Sequence, residues 1–344
     1  MNIATHHRRS NNCNSKHKTK RNKKRNRSLK SSTRHSRQKY YSKKNKRKII
    51  KGGNMGSSGS DALSLQKEQK RKNICSPLVS KEKVVDGTCI PEKDIKQIKD
   101  TWNAHSSQKI SAVSPTDIWK EMYAKSSCQD DLCVLSKPEV SKIKKTMIDY
   151  YAPKQPDTWK KNPTEWLTNI EILEKMKQYE KAYKCFKFIG PTPIDFDTVV
   201  DGKCVENSLC HFDLKKHIDN GIKKIGIIFN TDPHDKGGEH WISLFINIKN
   251  KFIFFFDSAG NKIPNEIKLL VNKITEQGKK LNPPINFAYD DTYPHVHQQS
   301  NTECGMYSLY FIINMLEDKL TREFLKTKVI PDEMMINYRK LYFN

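Results

Sequence analysis

The 344-residue sequence predicts an α+β fold, in which a mostly helical region leads into a mixed sheet packed on one apolar helix. Three observations carry that expectation. Composition becomes globular only near residue 73. Strand-like runs, alternating or continuously apolar, cluster between 223 and 257. A run from Cys304 to Leu320 is too long for an ordinary strand and suits a buried helix.

The elements follow in order. Residues 1–51 hold twenty Lys or Arg and no Asp or Glu, and the first acid is Asp61. The whole chain is +25, yet residues 52–344 hold 43 basic residues against 38 acidic, about +5, so the basicity belongs to an appendage. Such a segment has too little apolar surface to offset its ordering entropy and is expected to be disordered. The Gly/Ser-rich stretch 51–61 reads as a flexible linker, so tail and linker together occupy 1–72.

Residues 73–195 read as a mostly helical N-terminal domain. Helices are expected over 91–103, 114–125, 138–151 and 169–184, from apolar residues at helical spacing and from Pro91 and Ser114 at starts. Three prolines in 153–167 predict a looping path. Residues 196–344 form the second unit. Strands are expected at 223–231, 241–248 and 251–257, the last two as a hairpin turning at 249–251. A helix at 263–280, a short strand at 285–291, the Cys304 helix and a last helix near 332–341 complete the pattern.

No stretch reaches the ~20 apolar residues of a membrane span, and no apolar segment follows the N-terminal charges, so neither a span nor a secretory signal is expected. Nine scattered cysteines, an odd number, predict free thiols in a reducing intracellular compartment. Cys75, Cys89, Cys128 and Cys133 are spaced too widely for the tight pairs of common zinc sites. Cys185, Cys204 and Cys210 show no catalytic partner. No metal or other cofactor is expected.

The chemistry gathers late in the chain. His240 follows Gly237 and Gly238 at the head of one hairpin strand, and Asp257 ends the other. Both ends of a hairpin meet at one sheet edge, so the acid can reach the imidazole; Asp257 also suits a turn acid before Ser258, Ala259 and Gly260. Cys304 opens a helix, where a thiol ionises more readily, above all beside a histidine. Gly305 is a poor helix former and reads as room for close backbone approach. Gln298 offers an amide N–H to a developing oxyanion.

Together GGEHW, FFFDS and HQQSNTECGMYS resemble the adenain-like and SUMO-protease-like cysteine peptidases, which share the order His, acid, Gln, Cys. The look is nearest to the virion-maturation proteases of large cytoplasmic DNA viruses, the African swine fever virus group included. The resemblance implies a papain-like or adenain-like core. It makes His240 the general base, Asp257 its orienting acid, Cys304 the nucleophile and Gln298 the oxyanion donor, with Gln299 as the alternative donor; Trp241 and Gly305 would shape the groove. It implies protein substrates cut after Gly-Gly-like pairs, either viral structural polyproteins or ubiquitin-like modifiers. A third reading is a non-catalytic basic nucleic-acid-binding scaffold. On the protease reading Gly52-Gly53 is a candidate self-cleavage site. The basic tail, residues 1–51, is a candidate DNA-binding arm, and its KKNKRK run (43–48) could direct nuclear import. Virion and host cytoplasm are the expected locations.

Overall fold

A computed structural model describes residues 74–344. The expected disordered tail and linker, and Gly52 and Gly53 within them, lie outside the described residues.

The first unit packs four helices around its own core: α1 (Glu92–His105), α2 (Pro115–Ser126), α3 (Asp131–Leu135) and α4 (Ser141–Ile148). Ser114 caps α2 by accepting the Asp117 N–H, with Pro115 in the first turn, where its missing N–H costs nothing. Ile95, Ile98, Trp102, Trp119, Met122 and Leu135 fill the centre. Asp131 is buried there, yet Trp119 Nε1 at 3.1 Å, Tyr151 Oη at 2.8 Å and the Tyr123 hydroxyl all donate to it. A buried carboxylate persists only when so satisfied.

The expectation of free thiols is overturned in this structure. Cys75–Cys89, Cys128–Cys133 and Cys204–Cys210 are disulfides and Cys185 is bridged as well, so Cys304 is the free cysteine among the described residues. Composition could not show this, because the fold brings the Cα atoms of each pair to 5.2, 5.6 and 6.3 Å, within bridging range.

The expected domain line at 195/196 also shifts. Helix α5 (Asn169–Ala182) and strand β1 (Phe186–Pro193) are built into the second unit, whose buried core already includes Trp159 and Leu167. Thr168 and Glu171 form a reciprocal capping box that starts α5. Beyond β1 come the small hairpin β2 (Val199–Val200) and β3 (Lys203–Cys204), then α6 (Asn207–Cys210), α7 (Leu214–Asp219), β4 (Lys224–Asn230), β5 (Trp241–Asn247) and β6 (Phe252–Phe256). Helix α8 (Asn265–Lys279), strand β7 (Ala288–Asp291) and helices α9 (Cys304–Leu316), α10 (Arg322–Thr327) and α11 (Asp332–Tyr342) complete the chain.

The main sheet has the order β1-β4-β5-β6-β7. Its inner pairs β4/β5 and β5/β6 are antiparallel, and its outer pairs β1/β4 and β6/β7 are parallel. Strand alternation sorts side chains onto two faces. Phe245, Phe254 and Phe256 face α9, where Phe256 and Phe311 stack with centroids 4.7 Å apart. Leu244, Ile246, Ile253 and Phe255 face α8 and its neighbours. Helix α9 is buried along its whole length, so it has no polar face to read. It also packs tightly against the sheet at Gly226, where a Cβ would lie 2.7 Å from Ile312 Cγ2. Its C-terminus is closed by buried Lys224, whose Nζ donates to Leu316 O and reaches Asp318 Oδ1, each at 2.7 Å. Among the described residues, no helix is long and apolar enough to cross a membrane.

Candidate active site

The β5–β6 hairpin places two of the predicted residues. Ser243 pairs with Phe256, so the residues just before β5 and just after β6 meet at one edge. There His240 Nε2 lies 2.7 Å from Asp257 Oδ1. The acid is held in turn. Its backbone N–H donates to Thr292 Oγ1 at 3.1 Å, and its Oδ1 accepts the Ala259 N–H at 2.8 Å. The turn role and the contact with His240 therefore coexist.

The approach to His240 is equally constrained. Asn230 Oδ1 accepts the N–H groups of Asp232 and Glu239 at 2.9 and 3.1 Å. Asp232 Oδ2 accepts the Gly238 N–H at 3.0 Å. Gly238 takes φ +92°, and a Cβ there would sit 2.8 Å from Asn230 Nδ2, so glycine is required.

Cys304 is the first residue of α9 and is only 2% exposed. With Nε2 committed to Asp257, Nδ1 is the ring nitrogen left to face Cys304, whose side chain is close enough to act on the imidazole's charge. Burial lowers the His240 pKa. The hydrogen bonds and charges of Asp257 and Cys304 outweigh it and raise the value to about 10. The site thus favours an imidazolium at neutral pH. At a helix start the first N–H groups have no intrahelical acceptor, which leaves those of α9 available beside the thiol.

Gln298 lines a recess of about 520 Å³ together with His240 and Asp257. Its Oε1 accepts from Ser258 Oγ at 2.7 Å, and its Nε2 donates to Ser300 O at 2.8 Å. Gln299 is exposed and only its backbone N–H is held, by Asp332 at 3.1 and 3.3 Å. Of the two glutamines, Gln298 is the one placed at the recess.

Trp241 Nε1 donates to Leu167 O at 2.9 Å. Gly305 sits under this contact, since a Cβ there would lie 2.9 Å from Leu167 Cβ and 3.2 Å from Trp241 Cδ1. Trp166 lines the His240 recess and also a second one of about 460 Å³ bounded by Leu167, Pro191, Val205 and Trp241. Sequence reasoning did not single out Trp166, whose only signal in the sequence was an indole in a proline-rich stretch; the structure leaves it 41% exposed. Sequence reasoning also missed a buried ion pair. Arg339 of α11 grips Glu303, the residue before the nucleophile, with Nη2 at 3.0 and 3.2 Å from its two oxygens. Arg339 Nη1 donates to Glu165 O at 2.7 Å, and its guanidinium lies 4.4 Å over the Trp159 ring.

For metals, the four cysteines weighed from the sequence are paired 75–89 and 128–133. Cys204, Cys210 and His211 put three donor atoms within 4.8 Å of one another, but the Cys204–Cys210 bridge occupies both sulfurs.

Residues 164–344 match the sequence profile described as the Ulp1 protease family, C-terminal catalytic domain. A protein of Acanthamoeba polyphaga mimivirus that bears the name of a thiol protease is 36% identical over 157 residues, 44% of this chain and 48% of its own length. The chain thus spans about half the length of that relative. A cysteine protease of African swine fever virus is 26% identical over 236 residues, covering 63% of this chain and 83% of the relative. The crystal structure of an African swine fever virus protease superposes with a TM-score of 0.57 at 19% identity, over 80% of this chain and 98% of the other. At that identity the superposition shows a shared fold.

Proposed function

The chain belongs to the Ulp1 protease family, and from that premise we propose that it is a cysteine endopeptidase that cuts protein substrates after Gly-Gly-like pairs. The observation that carries this reading is His240 held between Asp257 at 2.7 Å and Cys304 at the start of a buried helix. Cys304 attacks the scissile carbonyl as thiolate. The oxyanion is met by the Gln298 amide and the helix N–H groups. His240 gives its proton to the leaving amine, and Asp257 holds the ring in place. Water then attacks the thioester, His240 takes a proton from it, and Cys304 leaves as thiolate. No step calls for a metal.

The preference for small residues is supported by Trp166, which lines the His240 recess, and by the close packing of Gly305, where a Cβ would meet Leu167 and Trp241. A bulky residue next to the cut bond would have to displace an indole.

Maturation of viral structural polyproteins is the first reading of the substrate, supported by the relative named as a cysteine protease of African swine fever virus. Relatives from other isolates of that virus are named SUMO-1 cysteine proteases, which keeps deconjugation of a ubiquitin-like modifier as the second reading. On the first reading the protein works in the virion and the host cytoplasm, with residues 1–51 on DNA and Gly52-Gly53 as a cut that releases the tail.

The test is cleavage of a Gly-Gly-X peptide panel and of a modifier–lysine isopeptide by the full chain, beside Cys304→Ala. Turnover of the peptides that disappears in the variant is expected. Cleavage of the isopeptide alone would favour deconjugation. No turnover, with Cys304 inert to an alkylating probe, would refute the protease reading. An N-terminus that remains Met1 in active enzyme would refute removal of the tail.

A further inference from the structure

We propose that Asp332, the first residue of α11, is a positioning residue whose carboxylate fixes the 298–300 loop and so keeps the Gln298 amide aimed at the reacting carbonyl. The inference rests on the reading of Gln298 as oxyanion donor.

Three donors converge on Asp332. The Ser300 N–H reaches Oδ2 at 2.7 Å, and the Gln299 N–H reaches it at 3.1 Å. Tyr307 Oη lies 2.8 Å from Oδ1 and 2.7 Å from Ile330 O. Tyr307 is one turn beyond Cys304 on the same helix, so one carboxylate ties the glutamine loop to the nucleophile's helix. The connection to Gln298 is short. Its Nε2 donates to Ser300 O at 2.8 Å, and the Ser300 N–H is the one that Asp332 holds at 2.7 Å. An amide nitrogen has two N–H groups, so one remains for substrate.

The other side of the loop is fixed independently. The Gln298 N–H donates to Ser258 O at 2.9 Å. The fully buried His297 accepts the Ile330 N–H at Nδ1, 3.2 Å away, and donates from Nε2 to Leu325 O at 3.0 Å. Asp332 is thus the anchor on the side where the loop runs toward Cys304. Without it two loop N–H groups lose their acceptor, and Ser300, whose carbonyl orients the glutamine, loses the bond that fixes its backbone on the preceding peptide.

The experiment compares Asp332→Asn, Gln298→Ala and wild type in the full chain. The asparagine keeps the shape of the side chain but replaces one acceptor oxygen with a donor. Five quantities are measured: kcat and KM on a Gly-Gly-X peptide, inhibition by a Gly-Gly aldehyde whose adduct oxygen occupies the oxyanion position, the rate of Cys304 alkylation by iodoacetamide, and the melting temperature. Loss of an oxyanion donor costs about 10²–10³ in kcat, and a misaimed donor should lose part of that, about tenfold. For Asp332→Asn the expected result is this fall in kcat, a matching loss of aldehyde affinity, and unchanged KM and alkylation. Unchanged kcat and aldehyde affinity would overturn the proposal. So would a parallel fall in alkylation rate and melting temperature, which would mark a purely structural role. If Gln298→Ala leaves aldehyde affinity intact, the donor assignment fails and the proposal falls with it. If only Gln298→Ala weakens the aldehyde, the positioning role alone fails.

Discussion

Replacing Gly305 with alanine sets helix propensity against packing, and the structure decides which wins. Alanine is favoured over glycine inside a helix by about 1 kcal/mol. The added methyl would stand 2.9 Å from Leu167 Cβ and 3.2 Å from Trp241 Cδ1. Neither neighbour can retreat freely, because Trp241 Nε1 is bonded to Leu167 O at 2.9 Å. Relieving such overpacking costs about 1–3 kcal/mol. The net loss of stability is therefore small, ~0–2 kcal/mol, or a few degrees in Tm for a protein of this size. The loss of activity should be larger. The groups that must shift stand beside the nucleophile, and misplacement by about 1 Å can cost 10²-fold in rate. The expected outcome for Gly305→Ala is a fall in kcat/KM of about 10- to 100-fold on a Gly-Gly peptide, with a thermal melt within a few degrees of wild type. Wild-type kcat/KM with a raised Tm would refute the argument, since propensity would then have won and the contact would not matter.

Three further outcomes follow from charge. Since His240 is raised from 6.5 to about 10, kcat/KM should not decline between neutral pH and 9 and should fall as pH rises through 10; a decline centred near 7 would contradict the ion-pair geometry. By linkage, the stability this histidine contributes is fully present below pH 6.5 and is lost as pH climbs to about 10, which urea melts across that range would show. Arg339→Ala leaves Glu303 buried without its cation and should cost about 3–5 kcal/mol in urea unfolding. A loss below about 1 kcal/mol, the range of exposed pairs, would mean that water replaces the guanidinium.

What the sequence discloses here depends on how local each feature is. The β5–β6 hairpin and α9 are legible because their apolar periods are written in consecutive residues. The same hairpin makes His240 and Asp257 legible as a pair, seventeen residues apart across one turn. Gln298 against Gln299 is not decidable locally, because what separates them is Asp332, more than thirty residues on, which takes the backbone of one and leaves the side chain of the other at the recess. Arg339 escaped for the same reason: its partners Glu303 and Glu165 lie 36 and 174 residues away along the bonds that seat it. The boundary at 195/196 was misplaced because α5 reads as one more amphipathic helix. Nothing within it says that Ile172 and Met176 pack with Phe186 and α9 rather than with α1–α4. The disulfides were hidden because odd cysteine number and composition carry no information about proximity.

The order of synthesis gives the Arg339–Glu303 pair a further meaning. The ribosome delivers Glu303 and Cys304 some thirty-five residues before Arg339. Over that interval the acid beside the nucleophile has no guanidinium to accompany it into the interior, and Glu165, made long before, has no donor for its carbonyl. The bond network around the thiol thus closes from the C-terminal side, with α11 as the last piece. A chain that carries His240, Asp257 and Cys304 but not yet Arg339 lacks the cation that accompanies Glu303, the residue before its nucleophile, into the interior.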